Sequence, residues 1–302
     1  MNFGVCLPHY GQPVSLDGLR DVAQDAENMG YHSVWASDHV VTPAHLLPSF
    51  GPIFFDAFVV LSHISALTQR VKLGTTVMVV PYRNPLVAAK MVATLDSLSG
   101  GRVILGIGAG GAPDEFEALG VPNNERGRRT NEYLRIMIEL WTNDPSSYQG
   151  QFFDFSKVRF GPKPVQKPHP PIWVGGRSDA ALRRAVRFGA AWHPTFMPLE
   201  QLRERLEKLA QLSSDAGRSP GPSVTIHQIV DFNGGQGAAG SSAESRRLGQ
   251  GPPEQVAADL AAYAEMNVET VVCNFRAKNV AELRNAIELF ATSVMPQLNA
   301  GP

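Results

Sequence analysis

The sequence predicts a single (β/α)8 barrel of the TIM type, and three observations carry that expectation. Short apolar runs rich in β-branched residues alternate eight times with amphipathic stretches of helical length, the rhythm that builds a parallel sheet covered by helices. Most of these runs are nearly unbroken in hydrophobicity, as strands buried on both faces must be. The first run is followed by Pro8-His9-Tyr10 rather than the glycine-rich turn of an open doubly wound sheet, which favours closure. The 302 residues hold one barrel of about 250 residues plus insertions, without room for a second full domain.

The predicted strands are 3–7, 33–36, 71–77, 103–107, 172–174, 190–193, 224–230 and 270–275. The helices between them carry legible ends. Ser15 can cap the first, whose Leu16, Leu19, Val22, Ala23, Ala26 and Met29 share one face, and Gly30 can close it. Pro85 opens another at a position where a missing N–H costs nothing, and Gly100-Gly101 ends it. Pro252-Pro253 opens the seventh, with Val256, Leu260 and Tyr263 on its buried side, and Asn279 caps the eighth, which ends before Pro296. Two stretches break the rhythm. Residues 142–171, with Phe152, Phe153, Phe155 and a proline-rich passage, read as an insertion with room for a hairpin. Residues 233–251 are dominated by Gly, Ser, Ala and Gln and read as a flexible loop after the seventh strand.

Composition narrows the partners. A formal net charge of −1 supplies no field for nucleic acid or acidic membranes, which leaves small molecules or a second copy of the chain. The two cysteines, Cys6 and Cys273, lie in apolar strand runs without metal-ligand spacing and read as buried thiols in a reducing compartment. The N-terminus lacks a signal-peptide pattern and no run of 18 apolar residues occurs, so a cytoplasmic protein is expected. No His-x-His, His-Glu-x-x-His or Gly-x-Ser-x-Gly string is present, which marks down metal-dependent and serine hydrolysis and gives no metal site.

In such a barrel the C-terminal strand ends and the loops after them form the active site. Asp38-His39 follows the second strand, a carboxylate able to anchor a ligand beside an imidazole able to exchange a proton. Thr75-Thr76-Val77 ends the third. The glycine-rich 106–111 follows the fourth and runs into Pro113-Asp114-Glu115, where backbone N–H groups can approach a ring or phosphate. Gly175-Gly176-Arg177-Ser178 leads into a helix and combines free N–H donors, a positive dipole end and a guanidinium, although an ordinary Ser cap explains it as well. His9, Tyr10, Tyr82, Arg83, Trp192, His193, His227 and Arg276 are further candidates at the mouth, each on its own read as packing or solvated surface before a ligand.

At these strand ends the sequence resembles the bacterial luciferase-like superfamily, and more closely its coenzyme F420-dependent oxidoreductases. The resemblance rests on residues 30–39 (GYHSVWASDH), 95–102 (LDSLSGGR), 114–120 (DEFEALG) and 164–176 (PVQKPHPPIWVGG), in the family's order. It implies that Asp38 and His39 lie beside the reactive edge of a tricyclic ring, His39 orienting it or relaying a proton. It implies a non-prolyl cis peptide between Thr76 and Val77 supporting the ring, with Gly108, Gly110 and Asp114 along its flank. Gly175 and Gly176 would meet its phosphate tail, with Arg177 beside them as the candidate cation for a phosphate. In luciferase itself an arginine after the fourth strand grips the FMN phosphate; Ala109 stands at that position here, which favours F420 over FMN. Gly111 replaces the glutamate of the sugar-phosphate dehydrogenases of the group, which speaks against a sugar phosphate.

The expected function is therefore hydride transfer between F420 and a small organic substrate by a homodimer. An FMN-dependent monooxygenase fed by a separate reductase is the alternative, and a flavin-binding barrel without turnover is a third reading.

Overall fold

Period-two alternation sorts the side chains of each strand between a barrel interior and a layer shared with the helices. The structure, a computed structural model, describes residues 1–11, 14–234 and 247–299. From the N-terminus, β1 (Asn2–Cys6), α1 (Leu16–Asn28) and β2 (Ser33–Ala36) lead into a long connection over 37–56 that contains the single-turn α2 (Leu47–Phe50). Then come α3 (Ala57–Leu67), β3 (Lys72–Thr75), the short β4 (Met78–Val79), α4 (Pro85–Leu98), β5 (Val103–Gly108), α5 (Pro113–Ala118) and α6 (Arg126–Thr142). The hairpin of β6 (Ser146–Gln149) and β7 (Asp154–Val158) precedes β8 (Ile172–Gly175), α7 (Asp179–Phe188), β9 (Ala191–His193) and α8 (Leu199–Asp215). The chain ends with β10 (Ser223–Val230), α9 (Pro253–Glu265), β11 (Val268–Phe275), α10 (Val280–Ser293) and α11 (Met295–Asn299).

β3 pairs with β5 as well as with β2, and this closes eight parallel strands in the ring order β1-β2-β3-β5-β8-β9-β10-β11. The predicted third strand is corrected in one respect. It breaks at a cis Thr76–Val77 peptide and resumes as β4, whose Met78 pairs with Ile107. The hairpin falls inside the predicted insertion, with Tyr148 opposite Phe155. Of the stretch expected to be flexible, residues 235–246 lie outside the described residues.

Packing explains several sequence choices. Trp35, Ile104, Trp173, Ala191 and Val272 fill the barrel interior, while Val5, Val34, Leu73, Leu105 and Val174 face outward against the helices. Trp35 is fully buried and donates its Nε1–H to Ser33 Oγ at 2.8 Å. A Cβ at Gly4 would lie 2.4 Å from that indole and one at Gly74 2.2 Å from it, so both strands give up a side chain to admit the ring. The helix ends follow the expected signals: Ser15, Asn84 and Asn279 accept N–H bonds from Gly18, Leu86 and Glu282, and Gly30 and Gly100 take left-handed φ values of 83° and 68°. Cys273 is buried, Cys6 is part-exposed, and both are free thiols. No helix among the described residues is long and apolar enough to cross a membrane.

Candidate active site

The C-terminal strand ends surround a cavity of 790 Å³. Ser37, Asp38 and His39 enter it after β2; Thr76, Val77, Val79 and Tyr82 after β3 and β4; and Gly108 to Ala112 after β5. Gly175, Gly176 and Ser178 follow β8, and His227, Ile229, Asn274 and Arg276 come from β10, β11 and the residue after β11. Of the residues singled out in the sequence, His39, Asp38, Thr76, Val77, Gly108, Gly110, Gly175 and Gly176 thus share one cavity, whereas Asp114 and Arg177 lie outside it.

His39 is held by a buried polar cluster. Its Nδ1 lies 2.9 Å from Glu115 Oε2, which also accepts the Tyr82 hydroxyl at 2.8 Å, while Glu115 Oε1 accepts the Val40 N–H at 2.6 Å. Burial pushes the Glu115 carboxyl up, but the bonds from His39, Tyr82 and Val40 together outweigh it and hold it below its ordinary value. An ionised Glu115 accepts Nδ1–H, which leaves Nε2 as the nitrogen turned to a bound molecule. Phe50 and Phe54, from the 37–56 connection, pack on the imidazole with centroids 4.9 and 5.1 Å away.

Three site expectations are corrected by this geometry. The Asp38 carboxylate is not open to a ligand: it is buried, accepts Val79 N–H at 2.9 Å, and receives both arms of the Arg83 guanidinium at 2.6 and 2.8 Å. Arg83 continues to Asp56, which caps α3, so Asp38 fastens the end of β2 to β4 and α3 behind the cavity wall. Asp114 is exposed and sits 3.3 Å from His45; its neighbour Glu115 is the residue that turns inward. Arg177 turns its guanidinium onto the carbonyls of Thr195 and Phe196 and fastens the connection after β9.

Another arginine takes the position foreseen for Arg177. Arg184, in the second turn of α7, is 6% exposed, lines the cavity, and bonds only neutral acceptors, Asn131 Oδ1 at 2.9 Å and Gly127 O at 3.4 Å. Burial lowers its pKa, and among the described residues no carboxylate pairs with it. Arg126, also on the wall, bonds only the backbone and side-chain oxygens of Asn123. Both stand on the side of Gly175, Gly176 and Ser178, where α7 begins. A buried cation with neutral partners beside a helix N-terminus fits an anionic group such as a phosphate. Trp192 Nε1 donates to Gly176 O at 2.9 Å, and Gly176 adopts φ 101°, a left-handed value that favours glycine.

The floor is built around Val77. A Cβ at Gly108 would lie 2.7 Å from Val77 Cγ2, and one at Gly106 would lie 1.8 Å from Thr75 O, so these β5 glycines make room for the chain at the end of β3. Beneath it, Thr76 Oγ1 lies 3.1 Å from His193 Nε2, and His193 Nδ1 lies 2.8 Å from Thr225 Oγ1. Burial holds His193 at about 3 and His9 and His227 at about 4, so all three are neutral at physiological pH.

The order of these features matches a known family. A family model for luciferase-like monooxygenases covers residues 1–233. The chain belongs to the luciferase-like monooxygenase family. Within similar sequences, an uncharacterized protein of Mycobacterium tuberculosis is 32% identical over 223 residues, 70% of this chain and 76% of that one. The FMNH(2)-dependent dimethylsulfone monooxygenase of Pseudomonas putida is 34% identical over 176 residues, 57% of this chain and 47% of its own length. In solved structures the luciferase-like fold recurs in the monooxygenase RslO1 from Streptomyces bottropensis, with TM-score 0.81 and 24% identity over 98% of this chain and 99% of that one. It recurs again in an F420-dependent secondary alcohol dehydrogenase, with TM-score 0.81 and 17% identity over 98% of both chains.

Proposed function

We propose that this luciferase-like oxidoreductase uses coenzyme F420 and moves a hydride between the deazaflavin and an organic substrate. The observation that carries the reading is the lining of one cavity by Thr76, Val77 and His39 together with the glycine-rich start of α7 at Gly175, Gly176 and Ser178 and the cations Arg126 and Arg184. Its volume lies within the ~300–1,000 Å³ usual for cofactor-sized ligands. When bound, the deazaflavin supplies hydride chemistry. The chain supplies placement: Thr76, Val77, Gly108 and Gly110 set the plane and position of the ring, and Arg184 and Arg126 hold its phosphate. His39, steadied by Glu115, gives or takes the substrate proton through Nε2.

F420 rather than FMN is supported by the connection after β5. Its Ala109-Gly110-Gly111-Ala112 wall carries no cation, whereas the resemblance places an FMN-gripping arginine at Ala109. The FMN-dependent reading draws on the 34% identity to the dimethylsulfone monooxygenase and on the Arg126–Arg184 end, which suits any phosphate. A homodimer is part of the same proposal, on the strength of the resemblance.

The test is competition: the purified protein is mixed with equal concentrations of F420 and FMN, and the complexes are separated by native mass spectrometry. The F420 complex is expected to dominate. A spectrum containing only the FMN complex assigns the barrel to flavin monooxygenation, and one with neither cofactor overturns both readings.

A further inference from the structure

Three cavities meet at Arg276, the residue that follows β11. It lines the 790 Å³ cavity, a second of 570 Å³ and a third of 460 Å³. The second adjoins the first at Tyr10, Ser49, Phe50, Asn274 and Arg276, which line both. In the ring order β11-β1-β2-β3-β5, Arg276 stands half a turn of the barrel from the glycines of β5.

The charge of this side cavity is one-sided. Arg276 and Lys278 line it, no Asp or Glu does, and among the described residues neither cation has a carboxylate partner. Lys278 contributes its backbone N–H to Glu282 Oε2, and Glu282 Oε1 takes the Asn279 amide, so the nearby carboxylate is spent on the cap of α10. The Glu282 N–H of that helix is capped in turn by Asn279 Oδ1 at 2.9 Å. A guanidinium and an ammonium are thus the anion-binding side chains of this cavity. The remaining walls are largely apolar, formed by Leu7, Pro8, Leu47, Pro48, Phe50 and Leu283.

We propose that the 570 Å³ side cavity is the substrate subsite and takes an apolar organic carboxylate, with its anionic head on Arg276 beside Lys278 and its body directed past Tyr10 and Phe50 toward His39. The planar fork of Arg276 matches a carboxylate in two parallel hydrogen bonds, and the apolar walls cover the part of the ligand that a phosphate ester of a sugar would keep hydrated. This substrate class rests on the reading of the main cavity as the cofactor site.

The test uses cinnamate and its neutral analogue cinnamamide as probes, titrated calorimetrically into purified wild-type protein and into Arg276→Gln, Arg276→Lys and Lys278→Gln. Folding of each variant is checked by circular dichroism. Cinnamate is expected to bind at least ten-fold more tightly than cinnamamide. Arg276→Gln removes that preference, Arg276→Lys retains part of it, and Lys278→Gln lowers it two- to three-fold. Equal binding of the two probes, no cinnamate binding at millimolar concentration, or an unchanged preference in Arg276→Gln overturns the proposal. So does a ten-fold loss of F420 or FMN affinity in Arg276→Gln, which would give the cation to the cofactor. If wild-type protein binds neither cofactor yet keeps the Arg276-dependent preference for cinnamate, the cofactor reading fails and the carboxylate subsite stands.

Discussion

Glu115 organises the His39 end of the cavity, because a single carboxylate satisfies the His39 imidazole, the Tyr82 hydroxyl and the Val40 N–H. Removing it leaves these donors, together with the Val41 N–H that reaches Oε1 at 3.3 Å, without their shared acceptor. Glu115→Ala is therefore expected to destabilise the fold by about 3–5 kcal/mol, and Glu115→Gln, which keeps an acceptor, by clearly less. Urea unfolding of both variants measures the difference; a loss below about 1 kcal/mol in Glu115→Ala would show that the cluster is dispensable. At the opposite end, Arg184→Gln is expected to weaken cofactor binding about 10- to 100-fold, the range of a charge-assisted bond. Arg177→Gln should change it by less than about two-fold, because that guanidinium is occupied by Thr195 and Phe196. Equal losses in the two variants would remove the distinction between them. These residue-scale choices were the least legible in the sequence. One step along a helix rotates a side chain by about 100°, so Asp114 and Glu115 look alike as letters yet face solvent and site. Likewise Arg177 directly precedes the Ser178 cap, but its long side chain folds back, and Arg184 reaches the site from the second turn.

Elements were read far more fully, because hydrophobic period and cap residues are local signals. The eight strands stand where the sequence places them except that the third ends at Thr75 and resumes as β4, and the caps Ser15 and Asn279 and the glycine stops are as expected. The 37–56 connection went unread because its contribution, Phe50 and Phe54 against His39, depends on tertiary contact rather than period. Gly4 and Gly74 belong to the same category: their absence of side chains makes sense only once Trp35 lies between the strands. Gly74→Ala is expected to cost at least about 1–3 kcal/mol through overpacking, measured as a lowered unfolding midpoint; an unchanged midpoint would mean that the indole has room to move. The strand-end histidines add a pH dependence. Burial keeps His9 and His227 at about 4 and His193 at about 3 in the folded chain, whereas the unfolded chain binds protons with an ordinary value near 6.5. Between these limits the unfolded state carries more protons, so stability is complete above pH ~6.5 and falls as the pH drops toward ~4, by about 1 kcal/mol per pH unit for each imidazole. Melting temperatures measured from pH 7.5 to 5 should decline, and His227→Gln should flatten the decline; a constant melting temperature would contradict the neutral assignment.

At the scale of the whole molecule, the barrel brings to one end groups that are distant in sequence: His39 after β2, the glycines of β5 and β8, and Arg276 after β11. Fold class was legible because every strand–helix pair repeats the same signal. The family was legible only through motif resemblance, and neither net charge nor composition reveals that three arginines, Arg126, Arg184 and Arg276, line one cavity whose Asp38 is already paired. Arginines thus stand at two ends of the cavity, Arg126 and Arg184 near α7 and Arg276 after β11, and the two proposals assign them to a cofactor phosphate and a substrate carboxylate. The central claim is that the strand-end cavity binds a phosphate-bearing deazaflavin with its ring beside His39. Its most direct test is a fluorescence titration of F420, with FMN in parallel, into wild-type protein, His39→Ala and Arg184→Gln. The account predicts saturable F420 binding at micromolar concentration, tighter than FMN, and a marked loss in Arg184→Gln. Micromolar FMN binding with no response to F420, or F420 binding indifferent to both substitutions, would contradict it.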